Sequence, residues 1–149
     1  WGWLAQVGLV LTMPEVADEA YYARWGEQLS LGYFDHPPAI AWWAWGGGRA
    51  LNLLLLPGAW VLFAQAARLL GAELSVKMLL AVAWWTPLGI SSGVISTPDA
   101  PLLLGWSIAV WGYAAQRPLA SALGVALGAW SKAMIWPPKC KILLKQFTR

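Results

Sequence analysis

The stretch ALNLLLLPGAWVLFAQAA, residues 50–67, decides the fold: eighteen residues separate Arg49 from Arg68 without a single charge. At about 1.5 Å of rise per residue, a helix of that length crosses most of a hydrocarbon core about 30 Å thick. Lipid offers no hydrogen bonds, so the backbone of such a run must be helical. Working outward, similar runs follow: 21 uncharged residues between Lys77 and Asp99, 17 more over 100–116, and 21 over 118–138 interrupted only by Lys132. Upstream, residues 1–13 are uncharged and end at Pro14, as the last part of another span does. The expected spans are 1–13, 50–70, 78–97, 100–116 and 119–137. The fold class expected is therefore all-α integral membrane, with many spans. Pro57, Pro87, Pro101 and Pro118 fall inside or at the ends of these spans, where neighbouring helices can satisfy the groups a proline frees.

Composition agrees. Of 149 residues, 59% are hydrophobic and 11% charged, less than half the charge of an average soluble domain. Thirteen tryptophans suit a chain with a large interfacial surface. A net charge of +3 with no basic stripe disfavours nucleic acid as a partner. The single cysteine, Cys140, excludes an internal disulfide framework and any multi-cysteine metal site. Residues 139–149 break from the Ala, Leu, Gly and Trp of the preceding sequence, forming an atypical basic tail. That tail and the start at Trp1 read as marks of a fragment.

The acids are not scattered. Residues 14–38 hold Glu15, Asp18, Glu19, Glu27 and Asp35, five of the seven. This region, with the apolar 39–48 and its Gly46-Gly47-Gly48 run, forms loop 14–49. Counting spans places that loop and Asp99 on one side of the membrane. Arg68, Lys77 and Arg117 lie on the other side, which the positive-inside rule makes cytoplasmic. Asp18, Glu19, Asp35, His36 and Asp99 then share the non-cytoplasmic face.

Four segments carry residues able to do chemistry. In DEAYYARWGEQL, 18–29, Asp18 is placed to cap a helix, and Asp18, Tyr22, Trp25 and Leu29 recur on one helical face. That pattern fits an amphipathic helix on the membrane surface, and it also offers Asp18 or Glu19 as a base facing a cavity. In GYFDHPPAIAWW, 32–43, the lone histidine, His36, sits before Pro37 and Pro38, which impose a rigid extended approach. In STPDAPLLL, 96–104, Asp99 lies where one span ends and the next begins. Its residue types fit a turn equally well. In the last span Lys132 either snorkels to the interface or meets an anion.

These segments, taken in order with GVALGAWSKA at 124–133, resemble the membrane part of the bacterial GT-C glycosyltransferases of family 39. That family includes the protein mannosyltransferases fed by dolichyl-phosphate-mannose and the aminoarabinose transferases of lipid A. The resemblance covers residues 1–138. It implies a truncated GT-C-type helical core whose first extracytoplasmic loop holds interfacial helices, set in the bacterial cytoplasmic (inner) membrane with its active site facing the periplasm. It implies transfer of a sugar from a polyprenyl-phosphate donor to a hydroxyl on a protein, lipid or glycan acceptor, with inversion at the sugar carbon. Asp18 with Glu19, and Asp99, take the family's catalytic acidic positions. His36 falls where relatives hold the donor phosphate. Lys132 takes the Ser-Lys helix position, and Arg24 and Tyr22 complete the substrate-binding set. The reaction requires no cofactor, since phosphate already leaves well, although carboxylates such as Asp18 and Asp99 suit magnesium or manganese. Relatives have a longer loop near Arg49 and many further spans. Two other readings of the residues stand beside the enzyme: a transporter or flippase piece using Asp99 and Lys132 as intramembrane charges, and an inactive truncated product.

Overall fold

A computed structural model describes residues 2–33, 36–73 and 75–132. Among them are eight α-helices and no strand: α1 (Gly2–Thr12), α2 (Ala17–Glu27), α3 (Ala39–Trp45), α4 (Arg49–Leu69), α5 (Val76–Trp85), α6 (Pro87–Val94), α7 (Asp99–Ala114) and α8 (Pro118–Lys132). The all-helical class agrees with the pattern of apolar runs. The expected tail at 139–149 and the last residues of the span 119–137 lie outside the described residues.

Helix α4 is the one described helix long and apolar enough to cross a membrane unaided. Its 21 residues rise about 32 Å. Only a third of its apolar stretch is buried, and Leu54 stands 71% exposed. The expected span 78–97 is instead two helices. Thr86 ends α5 and caps α6, its hydroxyl accepting the Gly89 N–H at 3.1 Å, and Pro87 occupies the first position of α6. Thr-Pro is a helix-start signal, and here it overrides hydropathy. Helices α6 and α7 then meet at 118°, turning the chain back at 95–98.

Proline also explains a long-range contact. Pro57 has no N–H to offer the Leu53 carbonyl one turn earlier. Trp3 on α1 donates its indole N–H to that carbonyl at 2.9 Å. Replacing the indole, Trp3→Phe, is expected to cost about 1 kcal/mol, the usual net worth of one hydrogen bond. Thermal unfolding of the two proteins in the same detergent checks it, and a loss near zero would mean that solvent serves the carbonyl equally well.

The core joins α2, α3, α4 and α7 through Tyr22, Ile40, Trp43, Leu56, Ala59 and Ala100. Fully buried Asn52 fastens three of the segments around it. Its side-chain oxygen accepts the Trp43 indole N–H at 2.7 Å, and its amide donates to the Ile95 carbonyl at 3.0 Å.

The closest packing is between antiparallel α7 and α8. A side chain at Gly105 would meet the Gly128 backbone at 2.5 Å, and one at Gly124 would meet the Ala109 backbone nitrogen at 2.3 Å. Ser121 seals the far end, donating its hydroxyl to the Ala109 carbonyl at 3.0 Å. Small residues that let two helix backbones touch are the usual means of association where lipid removes the hydrophobic drive. Apolar side chains nonetheless face outward all round: Leu54, Val82, Leu88, Trp106, Leu123 and Val125, from five different helices, are each at least half exposed.

Candidate functional site

One end of the bundle collects most of the chemistry. The C-terminus of α1, the N-terminus of α2, the start of α4 and the turn between α6 and α7 meet there at a single ion pair, Glu19 with Arg49.

The reason lies in unsatisfied backbone groups. Helix α1 ends with free carbonyls, and α2 begins with free N–H groups. Glu19 is the third residue of α2, and its Oε2 accepts the Val16 N–H at 3.1 Å, half of a capping box. Its Oε1 accepts the Ser96 N–H at 2.7 Å. Arg49 donates Nε–H to Oε1 at 2.8 Å and Nη2–H to Oε2. The rest of the guanidinium serves α1 and the chain beyond it: Nη1 reaches the Met13 carbonyl at 2.8 Å and the Val10 carbonyl at 3.5 Å, and Nη2 reaches the Pro14 carbonyl at 2.8 Å. The carboxylate is 4% exposed and the guanidinium 17%.

Burial by itself pushes the Glu19 carboxyl up. The hydrogen bonds from Arg49 and from the Ser96 and Val16 amides, with the Arg49 charge, outweigh it and hold the group below its ordinary value. A carboxyl lowered by folding stabilises the fold above its unfolded pKa, and loses that contribution as pH falls through the folded one. The expected result is a stability that declines below about pH 4.3, the ordinary Glu value. Unfolding measured between pH 7 and pH 3 checks it, and Glu19→Gln should flatten that decline.

Arg49 can reach this place because the chain turns sharply just before it. Gly47 and Gly48 have φ of +110° and +48°, a region costly for residues with a β-carbon. A β-carbon at Gly48 would also stand 3.1 Å from the Ser96 hydroxyl. That hydroxyl is buried without a hydrogen-bond partner among the described residues. Beside the pair lies a cavity of about 360 Å³, lined by Glu15, Glu19, Ala23, Gly48 and Ser96 among others.

A second ion pair closes the mouth of α7 and α8. Asp99, the first residue of α7, binds Lys132 Nζ through Oδ1, and both side chains are about 40% exposed. Lys132 also ends an apolar groove of about 320 Å³ lined by Leu102, Trp106, Val125 and Ala129.

Each residue expected to act is thus placed. Asp18 is exposed on the first turn of α2, but the cap of that helix is Val16 with Glu19, not Asp18. Leu29 lies beyond the end of α2, so the expected four-residue face is shortened to three. Tyr22 is buried, its ring edge-on to His36 at 5.8 Å between centroids. His36 is half-buried and also faces Trp25, on which Tyr33 stacks at 4.3 Å. Arg24 is exposed. Asp35, which precedes His36, lies outside the described residues. Among the described residues no three of His, Cys, Asp and Glu gather to hold a metal, and Asp99 is engaged by Lys132.

Sequence reasoning missed Arg49, Ser96 and Asn52. A signal existed for the first: an arginine opening a long apolar helix must find a carboxylate, and the nearest acids are one loop upstream. Comparison with family models, with curated proteins and with solved structures gives no match.

Proposed function

We propose that this chain belongs to a membrane-embedded glycosyltransferase that takes a sugar from a polyprenyl-phosphate donor and passes it to a hydroxyl acceptor on the non-cytoplasmic face. One observation carries the reading. Asp18 and Asp99, far apart in sequence and expected to share a face, are tied through neighbours: Glu19, beside Asp18, accepts from Ser96, three residues before Asp99, and Asp99 in turn binds Lys132. The outward apolar surface on five helices supports a lipid setting for the bundle, with α2 and α3 as interfacial helices.

The chemistry follows from the residue types. Asp18 accepts the proton of the acceptor hydroxyl as its oxygen bonds to the anomeric carbon. The bond from that carbon to the phosphate oxygen breaks on the opposite side, and the polyprenyl phosphate leaves with the electron pair. The product is inverted. The positive charge of Arg24 and an N–H of His36 hold the leaving phosphate, and Lys132 joins them when it exchanges Asp99 for the phosphate. The expected result is that membranes carrying the wild-type protein release sugar from a polyprenyl-phosphate donor to an acceptor. Asp18→Asn should lose that transfer, by at least about 100-fold for a lost general base, while still inserting. Undiminished transfer by the variant would remove Asp18 from the mechanism.

A further inference from the structure

We propose that Glu19 and Arg49 are positioning residues, which set the separation of Asp18 and Asp99 without touching substrate. The inference rests on the glycosyltransferase reading for its kinetic arm only.

Hydrogen-bonding capacity fixes what the two side chains can do. A guanidinium has five N–H groups. Those of Arg49 are directed at Glu19 Oε1, Glu19 Oε2 and the carbonyls of Val10, Met13 and Pro14. A carboxylate has about four acceptor sites. Those of Glu19 are filled by Val16 N–H, Ser96 N–H and two groups of Arg49. Neither side chain retains a donor or acceptor for a sugar, a phosphate or a reacting proton. Glu19 is therefore unsuited to be the base, although it adjoins Asp18 in the sequence.

The pair instead determines geometry. Glu19 is covalently next to Asp18, and its Oε1 holds the Ser96 amide at 2.7 Å in the turn that leads into Asp99. Arg49 fixes the same carboxylate to the end of α1 and the start of α4. Four segments thus share one junction, with Asp18 one residue along the chain from Glu19 and Asp99 three residues from Ser96.

The test combines a distance with a rate. Spin labels go on Glu27→Cys in α2 and Ser91→Cys in α6, both exposed, with Cys140 replaced by serine. Pulsed dipolar spectroscopy should give a narrow distance distribution for the wild-type background and a broad or shifted one for Glu19→Gln and Arg49→Lys. Sugar transfer by the same two variants should fall about 100-fold in kcat, the cost of a misplacement of about 1 Å. KM should stay near its starting value, and the acid limb of the pH–rate profile should remain. If Glu19→Gln abolishes transfer, or erases the acid limb, while the distance distribution stays narrow, Glu19 is a catalytic acid or base and the proposal is overturned. If Glu19→Gln does not fold, Arg49→Lys decides on the same two readouts. If the wild-type protein transfers no sugar, the glycosyltransferase reading fails, and the distance measurement alone settles the positioning role. An unchanged distribution in both variants ends it.

Discussion

Replacing Arg49 by methionine is expected to be among the most damaging single changes in this chain, with a loss of about 3–5 kcal/mol. The charge removed is not the main cost. Glu19 is left buried at 4% exposure and without its cation. The Met13 and Pro14 carbonyls lose their donors in the same step. Chemical unfolding in detergent, or the rate of proteolysis between α1 and α2, measures the loss. The double variant Glu19→Leu with Arg49→Met supplies the internal control. Apolar replacement of a whole buried pair is often close to neutral. Here recovery should be incomplete, because the Ser96 and Val16 amides lose their acceptor. Full recovery would mean that the backbone groups find other partners.

The second large effect is expected at the α7 and α8 contact, and it separates two glycines that a motif would treat alike. Gly124 and Gly128 form a GxxxG pair. A β-carbon at Gly124 would lie 2.3 Å from the Ala109 nitrogen and 2.6 Å from the Gly105 carbonyl oxygen. Both are backbone atoms of α7 and cannot rotate away. Gly124→Val must push the helices apart, at a cost of about 3 kcal/mol, the upper end for overpacking. At Gly128 the nearest atom to a β-carbon is Leu102 Cδ1 at 3.6 Å, an ordinary contact. Gly128→Ala should therefore be tolerated, and should gain up to about 1 kcal/mol from helix propensity. Unfolding midpoints of the two variants in one detergent decide the matter. Equal destabilisation would contradict the asymmetry.

Much of the fold was legible because helices announce themselves through charge spacing and proline. The helix expected at 50–70 is observed as Arg49–Leu69, and that expected at 100–116 as Asp99–Ala114. The break at Thr86 and Pro87 was legible too, but hydropathy summed over a window hides a cap. The candidate site was less so. Its individual acids stand out in an apolar chain, whereas the pairing of Glu19 with Arg49 depends on a turn through two positive-φ glycines and spans a sequence separation of 30. Lys132 reads in the sequence as snorkelling to the interface or meeting an anion, and neither reading points to Asp99, against which it lies because an antiparallel hairpin returns the end of α8 to the start of α7. Pair partners at that distance are a property of packing, which neither residue type nor spacing encodes.

The contact between Trp3 and Leu53 has a bearing on how the protein is made. A ribosome makes α1 about fifty residues ahead of the carbonyl that Pro57 leaves unserved. When α4 emerges, the indole that will occupy that gap is already in place. The proline-bearing helix therefore need not wait for a later segment to serve that carbonyl. A rearranged gene that moved α1 behind α8 would reverse that order, and would also cut the linker whose Met13, Pro14 and Val16 backbone groups join the Glu19 and Arg49 junction.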